Sequence, residues 1–317
     1  MDAQTLPWER EISLAGAGRA RVMLIGGFGA GPEPLRALGE RLQHEGAEVL
    51  ITALGRHVGD RRLFLRSRTW HYYREAARRL REWADGDGPP LIIGGYSTGA
   101  LIAVLLAASA GSRVAGLVLV SPVLRTARRA TQWVGYSVGS LYYLGLPLAM
   151  LGTTLAIVAR GRRSRFAHSH VALRAGATLA IFSAAGLGLR NATVPLRDGG
   201  PLDRGGRLVV PPHFTRASLV SGSTLVPLQV AARRRLPTVD VPTCVVFGRD
   251  DDVVDVDYGV SCARRAPDAE VHVVPGAPHR VVVDQACHDI VAGFVGRVLG
   301  RQAGFSTVAE DSTDRLP

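Results

Sequence analysis

The sequence predicts an α/β chain, a doubly wound and mostly parallel sheet that carries a large, mainly helical cap insertion. Three observations predict it. Short apolar runs alternate with stretches of helical periodicity from Arg21 to Val120, and that alternation stops near Arg125 and resumes at Thr243. A chain of 317 residues with 47% hydrophobic content also has enough apolar surface for a large core.

Arg21 to Gly26 reads as a buried strand, followed by a Gly-rich loop from Gly26 to Gly31. A helix is expected from about Pro34 to His44, with Leu35, Leu38 and Leu42 on one face, and a second strand over Ala47 to Ala53. Trp70, Tyr73, Ala77, Leu80 and Trp83 share helical spacing, so Trp70 to Ala84 is expected to pack that face inward. Leu91 to Tyr96 is an apolar strand, Thr98 to Ala110 a helix, and Val114 to Val120 a strand. After the interval come the strand Thr243 to Gly248, a helix near Asp257 to Arg265, the strand Glu270 to Val274 and a helix near Gln285 to Gly300. The core is therefore expected over residues 1–124 and 238–303, the cap over 125–237, and a disordered tail over 304–317.

The net charge of +11 is unevenly placed. Between Asp87 and Asp198 lie 110 residues without Asp or Glu, and the 11 arginines there equal the whole excess. No aromatic-interleaved basic run accompanies them, so nucleic acid is not an expected partner. All 38 basic residues are arginine, which reads as coding bias rather than as a functional choice. Within the interval, Ala130 to Ala159 is uncharged and is followed by Arg160, Arg162, Arg163 and Arg165. Thirty such residues exceed the roughly 20 that span a bilayer. Pro147 and four glycines interrupt them, which favours apolar cap helices and leaves peripheral membrane contact through the cap, or a spanning helix, as rival readings.

Cys244, Cys262 and Cys287 form no Cys-x-x-Cys pair and no histidine stands at metal spacing from them. They suggest neither a disulfide framework nor a zinc site, and are expected to be reduced and half-buried. The first ten residues lack the basic region and apolar stretch of a signal peptide, so a cytoplasmic location is expected.

Two Gly-x-Ser-x-Gly pentapeptides occur, Gly95 to Gly99 around Ser97 and Gly135 to Gly139 around Ser137. A serine raised on a strand-to-helix turn needs an extended run before it and a helical run after it. Ser97 has both, whereas Ser137 follows no clear buried strand. Serine is a poor nucleophile near neutral pH, so it needs a histidine base held in one tautomer by a carboxylate. Downstream, the strand Cys244 to Gly248 runs into Asp250, Asp251 and Asp252, of which Asp251 is taken as the acid with its two neighbours as alternatives. His279 lies in the loop after the last strand, 28 residues beyond Asp251, and is the natural base. The backbone N–H groups of Phe28 and Thr98 are the expected donors to a negatively charged oxygen. A phosphate-cradling role for Gly26 to Gly31 is the alternative, weakened because Gly-x-Gly-x-x-Gly is not cleanly formed.

Gly26-Gly27-Phe28, Gly95-Tyr96-Ser97-Thr98-Gly99, Gly248 to Val254 and Pro275-Gly-Ala-Pro-His279 together resemble the α/β-hydrolase superfamily, nearest its carboxylesterase and monoacylglycerol-lipase-like branch. Thr69-Trp70 and Ser121-Pro122 also look like that branch. The resemblance covers about residues 20 to 124 and 235 to 300. It implies a triad of Ser97, Asp251 and His279, with Phe28 and Thr98 as oxyanion donors and no metal or organic cofactor. One departure is Gly26, where that branch usually has a histidine that braces the oxyanion loop.

The expected activity is hydrolysis of a carboxylic ester through an acyl-enzyme. The apolar cap favours a hydrophobic acyl chain on a small-molecule ester. Thioester cleavage, acyl transfer or carbon–carbon bond hydrolysis would use the same triad, and a non-catalytic, membrane-associated binding protein is the rival from another class.

Overall fold

The computed structural model describes residues 11–28, 31–52, 54, 68–84, 88–110, 113–127, 148, 151–152, 155, 193–195, 216–218 and 223–313. Most of the expected cap, including Ser137, lies outside the described residues.

Seven strands form one sheet in the order β1-β3-β2-β4-β5-β8-β9. They are β1 (Ile12–Leu14), β2 (Ala20–Ile25), β3 (Ala47–Thr52), β4 (Leu91–Tyr96), β5 (Val114–Val120), β8 (Thr243–Gly248) and β9 (Ala269–Val274). All pairs are parallel except β1 against β3. The central strands are apolar at nearly every position because helices cover both faces, so each reads as a continuous run rather than an alternation. β2 pairs with β3 on one side and β4 on the other. The chain therefore reverses its direction of travel across the sheet there, which opens a crevice at the carboxyl ends of β2 and β4.

The helices are α1 (Arg36–His44), α2 (Thr69–Trp83), α3 (Thr98–Ala110), α4 (Leu225–Arg235), α5 (Val256–Ala263) and α6 (Gln285–Thr313). α3 is apolar all round, and Leu101, Ile102, Ala103 and Val104 are fully buried, as expected of a helix enclosed between the sheet and other helices. In α2 the buried line is Tyr72, Ala76 and Leu80, with Tyr73, Ala77 and Trp83 only partly buried. The face is thus rotated from the expected one. Trp70 is 50% exposed and lies against His71 and under the Arg74 guanidinium, a cationic partner that lets an aromatic ring stay at the surface.

α4 falls within the span read as cap, yet Leu228 and Ala232 join the main core cluster and the helix packs on α3. The chain is back on the sheet layers by Leu225. A short antiparallel pair, β6 (Thr193–Pro195) with β7 (Arg216–Ser218), also lies in that span. α6 continues to Thr313, through residues expected in a tail, and no Gly or Pro stands between Gly304 and Thr313 to break it. The three cysteines are buried rather than half-buried. Among the described residues no helix is long and apolar enough to cross a membrane.

Where the expected insertion leaves the core, residues 125–127 are tied to the loop after β8. Thr126 bridges Val254, Asp255 N–H donates to Arg125 O at 3.0 Å, and Ala127 N–H donates to Val253 O at 2.9 Å. Arg125 donates through Nε and Nη2 to Asp255 Oδ2 at 3.0 and 2.6 Å and lies 3.7 Å from the Tyr258 ring. Asp255 also caps α5, its Oδ1 accepting from Tyr258 N–H at 3.0 Å. Asp255→Ala removes the cap and strands a half-buried guanidinium, so a loss of about 2 kcal/mol is expected in urea unfolding. A change within 0.5 kcal/mol would show the clamp to be idle.

Candidate active site

Ser97 follows the last residue of β4 and precedes the first turn of α3, at the crevice where the strand order reverses. Its φ of 56° is in the left-handed region, which costs a non-glycine residue about 1–3 kcal/mol. Two glycines make the turn sterically feasible. A Cβ on Gly95 would lie 2.4 Å from the carbonyl of Gly99, and one on Gly99 would lie 2.1 Å from Ile25 O and 2.4 Å from Gly26 O. Those obstacles are backbone and cannot rotate aside. Gly99→Ala is expected to cost about 3 kcal/mol in urea unfolding and to lower turnover with it, because the loop after β2 must retreat from the serine. Wild-type stability in that variant would show that the close approach does not constrain the turn.

Ser97 Oγ lies 3.1 Å from His279 Nε2, and His279 Nδ1 lies 2.7 Å from Asp251 Oδ2. The carboxylate can only accept, so His279 carries its proton on Nδ1 and presents the Nε2 lone pair to the serine hydroxyl. Asp251 Oδ1 accepts from Val253 N–H at 2.9 Å and Val254 N–H at 2.8 Å. Three N–H donors thus compensate a carboxylate whose side chain is fully buried. Asp250 and Asp252, the alternative acids, are exposed, and Asp250 N–H is bonded to Ala277 O.

The histidine loop closes on the end of β8. Arg249 N–H donates to Val274 O and Asp250 N–H to Ala277 O, both at 2.9 Å. Gly248 permits this approach, since a Cβ there would lie 2.3 Å from Ala277 O. Gly276 turns the loop at φ 68°. The ring of Tyr96 packs beside that of His279 with centroids 5.3 Å apart, so the residue before Ser97 also limits the imidazole's tilt.

The loop after β2 lies against the turn. A Cβ on Gly27 would be 3.2 Å from Ser97 Cβ, so the loop that carries Phe28 passes next to the serine. The Phe28 ring meets that of Tyr72 edge-on at 6.3 Å and is held there by α2. Thr98, the other expected donor, is buried at the start of α3. Gly26, in place of a bracing histidine, sets its carbonyl over Gly99. Gly29 and Ala30 lie outside the described residues.

Sequence reasoning gave Ser121 no role. It follows β5 at φ 41°, is fully buried, and its Oγ has no hydrogen-bond partner among the described residues. Burial pushes the Cys244 thiol up strongly and that of Cys287 up to about 12, so neither is a thiolate near neutral pH.

A family model described as the alpha/beta hydrolase fold matches residues 21–286. Over 45 residues the chain is 42% identical to 2-hydroxy-6-oxo-6-phenylhexa-2,4-dienoate hydrolase of Delftia acidovorans, a stretch covering 14% of this chain and only 16% of that protein's length. The monoacylglycerol lipase of Paleococcus ferrophilus superposes with a TM-score of 0.63 at 16% identity, covering 92% of this chain and 97% of its own. A soluble variant of monoglyceride lipase from Saccharomyces cerevisiae, solved with a substrate analogue, gives 0.60 at 17% identity, covering 92% and 91%. At such identities these two likenesses are likenesses of fold.

Proposed function

The chain belongs to the alpha/beta hydrolase fold family, and we propose that within it the protein is a serine hydrolase cleaving carboxylic esters of a hydrophobic acyl chain. The observation that carries this reading is the hydrogen-bonded series Ser97–His279–Asp251 at the carboxyl edge of the sheet.

Ser97 Oγ attacks the ester carbonyl while His279 Nε2 takes its proton, and Asp251 stabilises the imidazolium that forms. The oxygen of the tetrahedral intermediate is received by the N–H groups of Phe28 and Thr98. His279 then gives its proton to the departing alkoxide, leaving an acyl group on Ser97. Water enters, loses a proton to His279 and attacks the acyl carbonyl, and collapse releases the acid and the free serine. No metal or organic cofactor takes part in these steps.

A hydrophobic acyl group is supported by the uncharged segment 130–159 and by the lipase folds that the chain resembles. Leu148, Leu151 and Leu155 share helical spacing and are 64%, 56% and 59% exposed, an apolar face suited to an acyl chain or to the lipid surface bearing it. The short match to the dienoate hydrolase favours a second reading, carbon–carbon bond hydrolysis on the same three residues.

Purified protein should react with a fluorophosphonate probe and turn over p-nitrophenyl esters, medium or long acyl chains faster than acetate. Ser137→Ala should label like wild type. Absence of labelling together with no turnover at any chain length would overturn the hydrolase reading. Labelling with turnover of a 2-hydroxy-6-oxodienoate, and of no ester, would replace it with the second.

A further inference from the structure

Cys244 and Glu270 are register partners across the parallel pair β8–β9, and His272 stands opposite Val246 two residues further on. Side chains two apart on a strand share a face, so the thiol, carboxylate and imidazole project together toward α6. One donor atom from each lies within 4.8 Å of the others. His272 Nε2 is 3.8 Å from Glu270 Oε2, is shielded from solvent, and has no hydrogen-bond partner among the described residues. Cys244 is fully buried and free. A small cavity of about 50 Å³, lined by Pro242, Asp268, Glu270 and Arg297 among others, opens beside the carboxylate.

We propose that Cys244, Glu270 and His272 bind a zinc-class divalent cation at the edge of the sheet. Sulfur, imidazole and carboxylate donors suit a borderline-soft ion and not magnesium or calcium. Tetrahedral zinc, with ligand bonds of about 2.0–2.3 Å, sets donors roughly 3.3–3.8 Å apart, so the cluster closes by about 1 Å on binding. Ligation exchanges the Cys244 S–H proton, released to solvent, for a sulfur–metal bond, while His272 contributes its Nε2 lone pair. Glu270 currently accepts from Arg297 Nη2 at 2.6 and 2.7 Å. Arg297 is 55% exposed and can keep one carboxylate oxygen while the other turns to the metal, with water in the fourth position. The linear sequence hides this set because its members come from two strands 26 residues apart at the pairing point.

The cation would pin the edge strand β9, which leads into the His279 loop, to β8. Its effect is therefore on stability, and it stands whether or not the hydrolase reading does. The test uses the full chain dialysed against EDTA, titrated with zinc chloride by calorimetry and with cobalt(II) by absorption. Expected are one ion per chain, a thiolate-to-cobalt charge-transfer band, and a melting temperature raised by several degrees at saturating zinc. His272→Gln, at a half-exposed position, should fold and bind at least tenfold more weakly, and Cys244→Ala should lose the band. No saturable binding in the wild type, unchanged affinity in His272→Gln, or a cobalt spectrum without the thiolate band would each overturn the site.

Discussion

Ser97→Ala is expected to lose about a million-fold in kcat and all fluorophosphonate labelling while remaining folded. Removal of Oγ leaves His279 and Asp251 hydrogen-bonded to each other, and the proposed oxyanion donors are backbone groups that the change does not touch. Residual turnover of roughly a thousand-fold over water should persist from binding and oxyanion stabilisation alone. Stability separates this residue's chemistry from its conformation. Alanine at φ 56° keeps the left-handed strain, whereas Ser97→Gly relieves it and should be about 1 kcal/mol more stable than Ser97→Ala in urea unfolding. Labelling that survives in Ser97→Ala and disappears in Ser137→Ala would move the nucleophile into the insertion.

Asp251→Asn should lower kcat about ten-thousand-fold with little change in fold. The asparagine oxygen can still accept from Val253 and Val254 N–H, as Oδ1 of the aspartate does now. Its amide nitrogen then faces His279 Nδ1 and donates to it, which puts the imidazole proton on Nε2 and leaves no lone pair for the serine. Asp250→Asn and Asp252→Asn alter exposed side chains and should stay within tenfold of wild type. If Asp252→Asn failed and Asp251→Asn did not, the acid would have to be reassigned.

Much of the core was legible because buried parallel strands read as apolar runs. Leu91–Tyr96, Val114–Val120 and Thr243–Gly248 coincide with the expected strands end to end. Ile12–Leu14 was not legible, since three residues are too few to display a period. Leu225–Arg235 was hidden because nothing local says that Leu228 and Ala232 face α3 and not an insertion. On α2 periodicity alone does not separate the face of Trp70 and Tyr73 from that of Tyr72 and Ala76, and the fold buries the second while Trp70 stays at the surface beside Arg74. The candidate site was readable as strand ends: a serine after β4, an acid after β8 and a histidine after β9. What spacing could not supply was which aspartate turns inward. That depends on the Val253 and Val254 N–H groups, and backbone donors have no letter in the sequence.

The junction at residues 125–127 has a consequence for anyone shortening this chain. The carbonyl of Val253 and the N–H of Val254 belong to one planar peptide group. Its oxygen accepts from Ala127 N–H at 2.9 Å and its nitrogen donates to Asp251 Oδ1 at 2.8 Å. A relay of two dipoles therefore connects the first residues of the insertion to the carboxylate that orients His279, each bond polarising the next. A protein cut back to Leu124 would lose the Ala127 N–H and with it part of the support of Asp251. One that keeps Arg125, Thr126 and Ala127 leaves the acid's support in place, and so isolates what the insertion itself contributes to choosing a substrate.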